Sequence, residues 1–268
     1  MKPLTTRDKT IQDFGDQWTT YQANVGYYAS VEFLNEILGP HYDAHFFMGK
    51  TVLDVGAGTG RIAAMLIASG VAKVVAIEPS KAFSVLKKNL EPHGDKVMAV
   101  QCRGDEISLK DMDTAVCIGV LHHIPEPGPV LDAIFNSLKP GGHFILWVYG
   151  YEGNQVYLRL ANFLRVFTTR SPHWLLAGLS HGLGCLLTFY AHLCRWLPLP
   201  MNAYMKDVIL KIHYRARVLV VYDQLNPAYA KYYKEKDIRS LLENHQFEID
   251  ELYHRHGYSW TLVARKPN

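Results

Sequence analysis

Three glycines on alternate positions, Gly56, Gly58 and Gly60, follow the acid Asp54 in VLDVGAGTGR, residues 52–61. Lacking Cβ atoms, they permit positive φ and let a ligand come close to the backbone. Further on, KVVAIEPS places Glu78 at the end of an apolar run, where a carboxylate can accept both hydroxyls of a ribose. DTAVCIGVLHHIPEP delivers His122 and His123, side chains that titrate in the range useful for moving a proton. The combined chemistry is a nucleoside-type cofactor cradle beside a candidate base.

The elements that must position these residues are legible from periodicity. TVLDV is a β-branched run of strand length, and RIAAMLIASG after the glycines repeats its apolar residues at helical spacing up to Gly70. The dinucleotide fingerprint GxGxxG would put its third glycine at position 61, which is Arg61, so the observed GxGxG departs from it. KVVAI, KVMAV and DTAVCIG read as further strands; KVMAV runs on to Asp105 and Glu106. VLDAIFNSLKPGGHFILWVYG reads as a helix, a tight KPGG turn and a fifth strand. Alternation at this spacing predicts an α/β fold with a doubly wound, mostly parallel sheet and ligands at the carboxyl ends of its strands.

The chain has 268 residues, 49% hydrophobic and 20% charged, which suits one elaborated domain and excludes disorder. The first twenty residues contain no apolar core, so no secretory signal is expected. Four cysteines without CxxC spacing suggest reduced thiols in a cytoplasmic protein, and no zinc site. A net charge of +3 gives no argument for nucleic acid as a partner.

With these motifs in order, residues 50–149 resemble the class I, seven-strand, Rossmann-like S-adenosylmethionine-dependent methyltransferases, in their small-molecule branch. VLDVGAGTG is similar to the family's first motif, AIEPS to its ribose motif and RGDEISL to its adenine-contacting segment. The resemblance implies S-adenosyl-L-methionine as cofactor. It also implies contacts from Asp54, Gly56, Ala57, Gly58, Gly60, Glu78, Pro79, Asp105, Glu106 and Gly119. Phe14 and Trp18, in an FGxxW segment similar to N-terminal helices of such enzymes, are expected to fold over the cofactor or to form an apolar stripe. Methyl transfer relies on positioning, with His122, His123 and His213 as candidate bases and Tyr222 and Asp223 as rivals. A silent cofactor-binding regulator is the alternative from another class, and a nicotinamide oxidoreductase the third.

Four regions are expected: an N-terminal helical cap (1–45), the cofactor-binding core (46–150), a helical, apolar, basic insert or lid (151–233), and a C-terminal helix and antiparallel hairpin completing seven strands (234–268). Residues 153–206 contain no Asp or Glu, but include Arg159, Arg165, Arg170, Arg195 and Lys206. Residues 171–194 carry no charge and exceed the ~20 residues of a bilayer span. A span is excluded because the last strands must rejoin the sheet. What remains is a lid over a small-molecule or lipid-like acceptor, or peripheral contact of residues 153–206 with the inner membrane surface.

Overall fold

Strands that are apolar on both faces need cover on both faces. That demand organises this computed structural model, which describes residues 4–155, 158–159, 173–226 and 229–268. Seven strands form one sheet in the order β3-β2-β1-β4-β5-β7-β6. They are β1 (Thr51–Val55), β2 (Lys73–Ile77), β3 (Val97–Val100), β4 (Met112–Ile118), β5 (Leu138–Tyr149), β6 (Glu248–Arg255) and β7 (Ser259–Arg265). Only β7 runs against the others, paired antiparallel to β5 and β6. The order reverses between β1 and β4, which leaves a crevice at their carboxyl ends.

The alternation of period two divides the core. Val52, Val74, Ala76 and Ile145 pack on one face with α2 (Val31–Leu38) and α3 (Arg61–Ala68). Leu53, Val55, Val75, Ile77 and Leu146 pack on the other with α5 (Gly128–Ser137) and α8 (Glu235–Asn244), whose buried residues include Leu131 and Leu242. The helix α4 (Phe83–Leu90) follows β2. The expected KPGG turn is absorbed into the start of β5, where the register with β4 shifts between Met112 and Thr114. The C-terminal hairpin turns through His256 and Gly257, both at positive φ (48° and 73°), the backbone shape that matches strand twist.

The remaining helices roof the crevice. Helix α1 (Thr6–Thr20) is capped by Thr5, whose side chain accepts from the Asp8 N–H. A Cβ on Gly15 would lie 3.1 Å from Ser80 Cβ, so glycine lets α1 press on the loop after β2. Helix α6 (His173–Leu193) crosses α7 (Tyr214–Leu225) closely at Gly184, where a Cβ would stand 3.0 Å from Val218 Cγ2. No described helix is long and apolar enough to cross a membrane. Arg165 and Arg170, two of the insert's expected cations, lie outside the described residues.

Candidate active site

The glycine turn hangs from the end of β2. The Gly56 and Ala57 N–H groups both donate to the Ile77 carbonyl, at 3.0 and 2.8 Å, and Gly58 N–H donates to Glu78 Oε2 at 2.9 Å. All three glycines take positive φ: 77°, 56° and 83°. The close approach they permit is made first by the protein's own side chains. A Cβ on Gly56 would fall 2.6 Å from Val120, and one on Gly58 would fall 3.3 Å from Trp18 Nε1. Gly60 lies outside the cavity wall, and its Cβ would meet Leu86 and Leu90 of α4 at 3.0 Å.

Asp54 lies buried beneath the turn and outside the cavity wall. Burial raises its carboxyl to about 7, against the Arg61 charge and the Ala63 N–H that oppose the shift. Its Oδ2 has no hydrogen-bond partner. Glu78 is also buried, and its second oxygen accepts from Ser80 N–H at 2.9 Å. A carboxylate oxygen offers two acceptor directions, so Glu78 retains capacity toward a ligand while it braces the turn.

A cavity of about 810 Å³ opens over these groups. Its wall includes Gly56, Ala57, Gly58, Glu78, Pro79, Asp105 and Gly119, with Phe14 and Trp18 from α1. Helix α1 is therefore a roof over the site. Its buried positions are Thr10, Asp13, Gly15 and Gln17, and Thr10, Phe14 and Trp18 line the cavity. Asp105 is held between Arg7 Nη1 and Arg103 Nε, each at 3.0 Å. Glu106 does not join the wall. It turns outward to accept from the Arg103 N–H at 2.9 Å and pairs with that residue's guanidinium.

The three candidate histidines separate. His213 is exposed and outside the cavity; its Nδ1 accepts from Ala216 N–H at 3.2 Å, which makes it the N-cap of α7. His122 is completely buried, its ring centroid 3.9 Å from that of Tyr149, and it is not part of the wall. His123 alone reaches the cavity, against Phe14 at 4.6 Å between ring centroids. Its Nδ1 lies 2.9 Å from the Tyr229 carbonyl. A carbonyl only accepts, so Nδ1 carries the hydrogen and the neutral ring keeps its lone pair on Nε2.

The wall also holds Asp223, one of the rival bases of the sequence, and Arg255, which carries no local sequence signal. Asp223 on α7 lines the cavity and accepts from Gln17 Nε2 at 2.9 Å and from the Tyr149 hydroxyl at 2.7 Å. Asn226 Nδ2 donates to the Asp13 carbonyl at 3.1 Å, so α1 and the segment after α7 are stitched together. Arg255 lines the far wall, almost wholly buried, with Glu36 and Tyr258 as partners. Burial pushes the Glu36 carboxyl up, but the hydrogen bonds and charges of His256 and Arg255 outweigh it and hold it below its ordinary value. Tyr222, the other rival, is buried against Leu176 and Leu225 and does not line the cavity.

S-adenosylmethionine, the group implied by the sequence resemblance, fits these residues. Its volume falls within a cavity of this size, ribose hydroxyls and an adenine amino group suit a wall bearing the acceptors Glu78 and Asp105, and the partnerless Asp54 oxygen adds acceptor character beneath the turn. The N–H groups of residues 56 to 58 are already engaged, so these groups do not form a phosphate cradle.

Comparison with known proteins points the same way. Residues 53–146 match the family described as "Methyltransferase domain". A ubiquinone biosynthesis O-methyltransferase of Dechloromonas aromatica is 34% identical over 102 residues, 37% of this chain and 44% of that protein. A tRNA U34 carboxymethyltransferase of Desulfotalea psychrophila is 32% identical over 113 residues, 41% of this chain and 35% of that protein. The chain spans less than half the length of these relatives. The solved Burkholderia thailandensis 1,6-didemethyltoxoflavin-N1-methyltransferase, with bound 1,6-didemethyltoxoflavin and S-adenosylhomocysteine, is similar with a TM-score of 0.55. At 17% identity, over 100% of this chain and 93% of that one, the likeness is one of fold.

Proposed function

We propose that this chain, which carries the core of a class I S-adenosylmethionine-dependent methyltransferase, moves a methyl group to a small, partly apolar acceptor through a hydroxyl. The observation that carries this reading is the cavity itself. One continuous space is walled by the glycine turn and Glu78 on one side and by Asp223, Tyr149 and Arg255 on the other. The ubiquinone biosynthesis relative, an O-methyltransferase by name, supports oxygen as the acceptor atom. Roofing by α1 and by Leu183, Leu187 and Tyr190 of α6 favours a small acceptor over a folded nucleic acid.

When bound, S-adenosylmethionine supplies an electrophilic methyl group on sulfur. Glu78 and Asp105 would hold its nucleoside half, and Trp18 and Phe14 would cover it and exclude water. Asp223 would take the acceptor's proton, with Tyr149 and Gln17 fixing both carboxylate oxygens in place. Such positioned proton transfer contributes ~10²–10⁴ in rate. His123, the histidine that faces the same space, would orient the acceptor.

Cell extracts incubated with the protein and methyl-labelled cofactor test the reading. Labelled product in the small-molecule fraction, together with adenosylhomocysteine, is expected. Label appearing only in RNA or protein would overturn the acceptor class. Cofactor binding with no transfer to any fraction would leave a silent binding protein.

A further inference from the structure

Helix α6 has two apolar faces, and the cavity uses one. At 100° per residue, Leu176, Ser180, Leu183, Gly184, Leu187 and Ala191 point toward α7 and the cavity, and each is buried or half-buried. Leu175, Leu179, Leu186 and Phe189 fall on a stripe roughly 80° wide on the opposite side, and all are exposed. The stripe continues into the turn after α6 with Trp196 and Leu197. Exposures of 63% for Leu186, 65% for Phe189 and 86% for Trp196 are high for side chains of this size. Scattered apolar residues on a surface are ordinary; a helical stripe of them is not.

The polar residues beside the stripe include no acid. Arg195 is exposed just after α6, His181 and His192 are exposed along it, and no acid occurs between residues 153 and 206. The flanking acids are engaged elsewhere. Glu152 accepts from Trp260 Nε1 at 3.3 Å, and Asp207 faces His256 at 4.0 Å. An apolar stripe with a tryptophan and an arginine at its end and no acid along its length matches an interfacial helix lying in the plane of an anionic leaflet. A second copy of the chain would fit the apolar stripe but not the charge, because a two-fold contact sets like flanks against like.

We infer that the outer face of α6, with Trp196 and Leu197 after it, docks the protein on an anionic lipid surface. Bound this way, the bilayer and the cavity would be separated by one helix, about 10 Å across. That arrangement suits an apolar acceptor drawn from the membrane. The inference is independent of methyl transfer, since Leu186, Phe189 and Trp196 are not part of the cavity wall.

Co-sedimentation of the whole protein with vesicles tests it, comparing mixed phosphatidylcholine–phosphatidylglycerol with pure phosphatidylcholine. Binding about tenfold or more stronger to the anionic vesicles is expected, falling as salt rises. The double substitution Phe189→Ser, Trp196→Ser should lower anionic binding at least about tenfold, and Arg195→Glu should abolish the preference for charge. Adenosylhomocysteine affinity, measured by calorimetry, should be unchanged in all three proteins. Failure of the wild-type protein to bind either vesicle overturns the inference, as does a double variant that binds like wild type. So does a concentration-dependent dimer, seen by sedimentation velocity, that the double substitution disperses while vesicle binding is unaffected.

Discussion

Gln17 Nε2 donates to Asp223 Oδ1 at 2.9 Å, joining two residues 206 positions apart across the roof of the cavity. The same carboxylate accepts from Tyr149 at the end of β5, so the N-terminal helix, the insert and the sheet meet at one side chain. Replacing Asp223 by Asn keeps size and hydrogen-bonding capacity but removes basicity. With an identified hydroxyl acceptor, kcat is expected to fall ~10²-fold or more while adenosylhomocysteine affinity stays unchanged. Gln17→Ala should cost less in kcat, because Tyr149 still holds the carboxylate. Turnover by Asp223→Asn at the wild-type rate, across pH, would rule out Asp223 as the proton acceptor.

Glu78 both braces Gly58 N–H and faces the cavity. Hydrogen bonds to charged groups are each worth ~1.5–3 kcal/mol, so Glu78→Ala is expected to weaken adenosylhomocysteine at least about tenfold. Calorimetry on Glu78→Gln separates the two duties. Gln can still accept at one oxygen, so the turn should hold while affinity falls part of the way. An unchanged dissociation constant in both variants would remove Glu78 from the cofactor site.

Asp54 sets a pH dependence of stability. Burial raises its carboxyl from an ordinary 3.8 to about 7 in the folded chain. The unfolded chain therefore releases this proton first, and folding loses stability as pH rises from about 4 to about 7. Three pH units correspond to about 4 kcal/mol, an upper bound on this contribution. Denaturant titrations at pH 5 and pH 7 should show wild-type stability declining over the interval and a flatter profile for Asp54→Asn. Parallel profiles would show that Asp54 does not titrate there.

His213 caps a helix and His123 lines the cavity, so their variants should differ. His213→Ala removes the cap of α7 and should cost about 1 kcal/mol of stability with little effect on the ratio of kcat to KM. His123→Ala alters the cavity wall and should raise the acceptor KM. Equal catalytic losses in the two variants would contradict their placement.

Residues 51–149 were readable because their signals are local. The continuous apolar run Val74–Ile77 and glycine at positions that need positive φ depend on immediate neighbours alone. The hairpin was readable for the same reason, from the alternation of β6 and the turn at His256 and Gly257. Of the residues the motifs singled out, Glu78 and Gly119 at strand ends and Asp105 beyond β3 line the cavity. Glu106, whose side chain a neighbouring arginine captured, and Gly60, packed against α4, lie outside its wall, and such captures depend on neighbours that a motif does not encode.

The sequence by itself thus determined the α/β order, the cofactor turn and the presence of an acid-free apolar insert. The tertiary structure decided which of two adjacent histidines faces the cavity, that His213 caps a helix, and that Asp223 rests between Gln17 and Tyr149. It also decided that α6 turns one apolar face inward and leaves the other exposed. The reason is physical. Backbone preferences act over a few residues, but the partner of a buried polar group, or the cover for an apolar face, is whatever the packed chain brings there from far along its length.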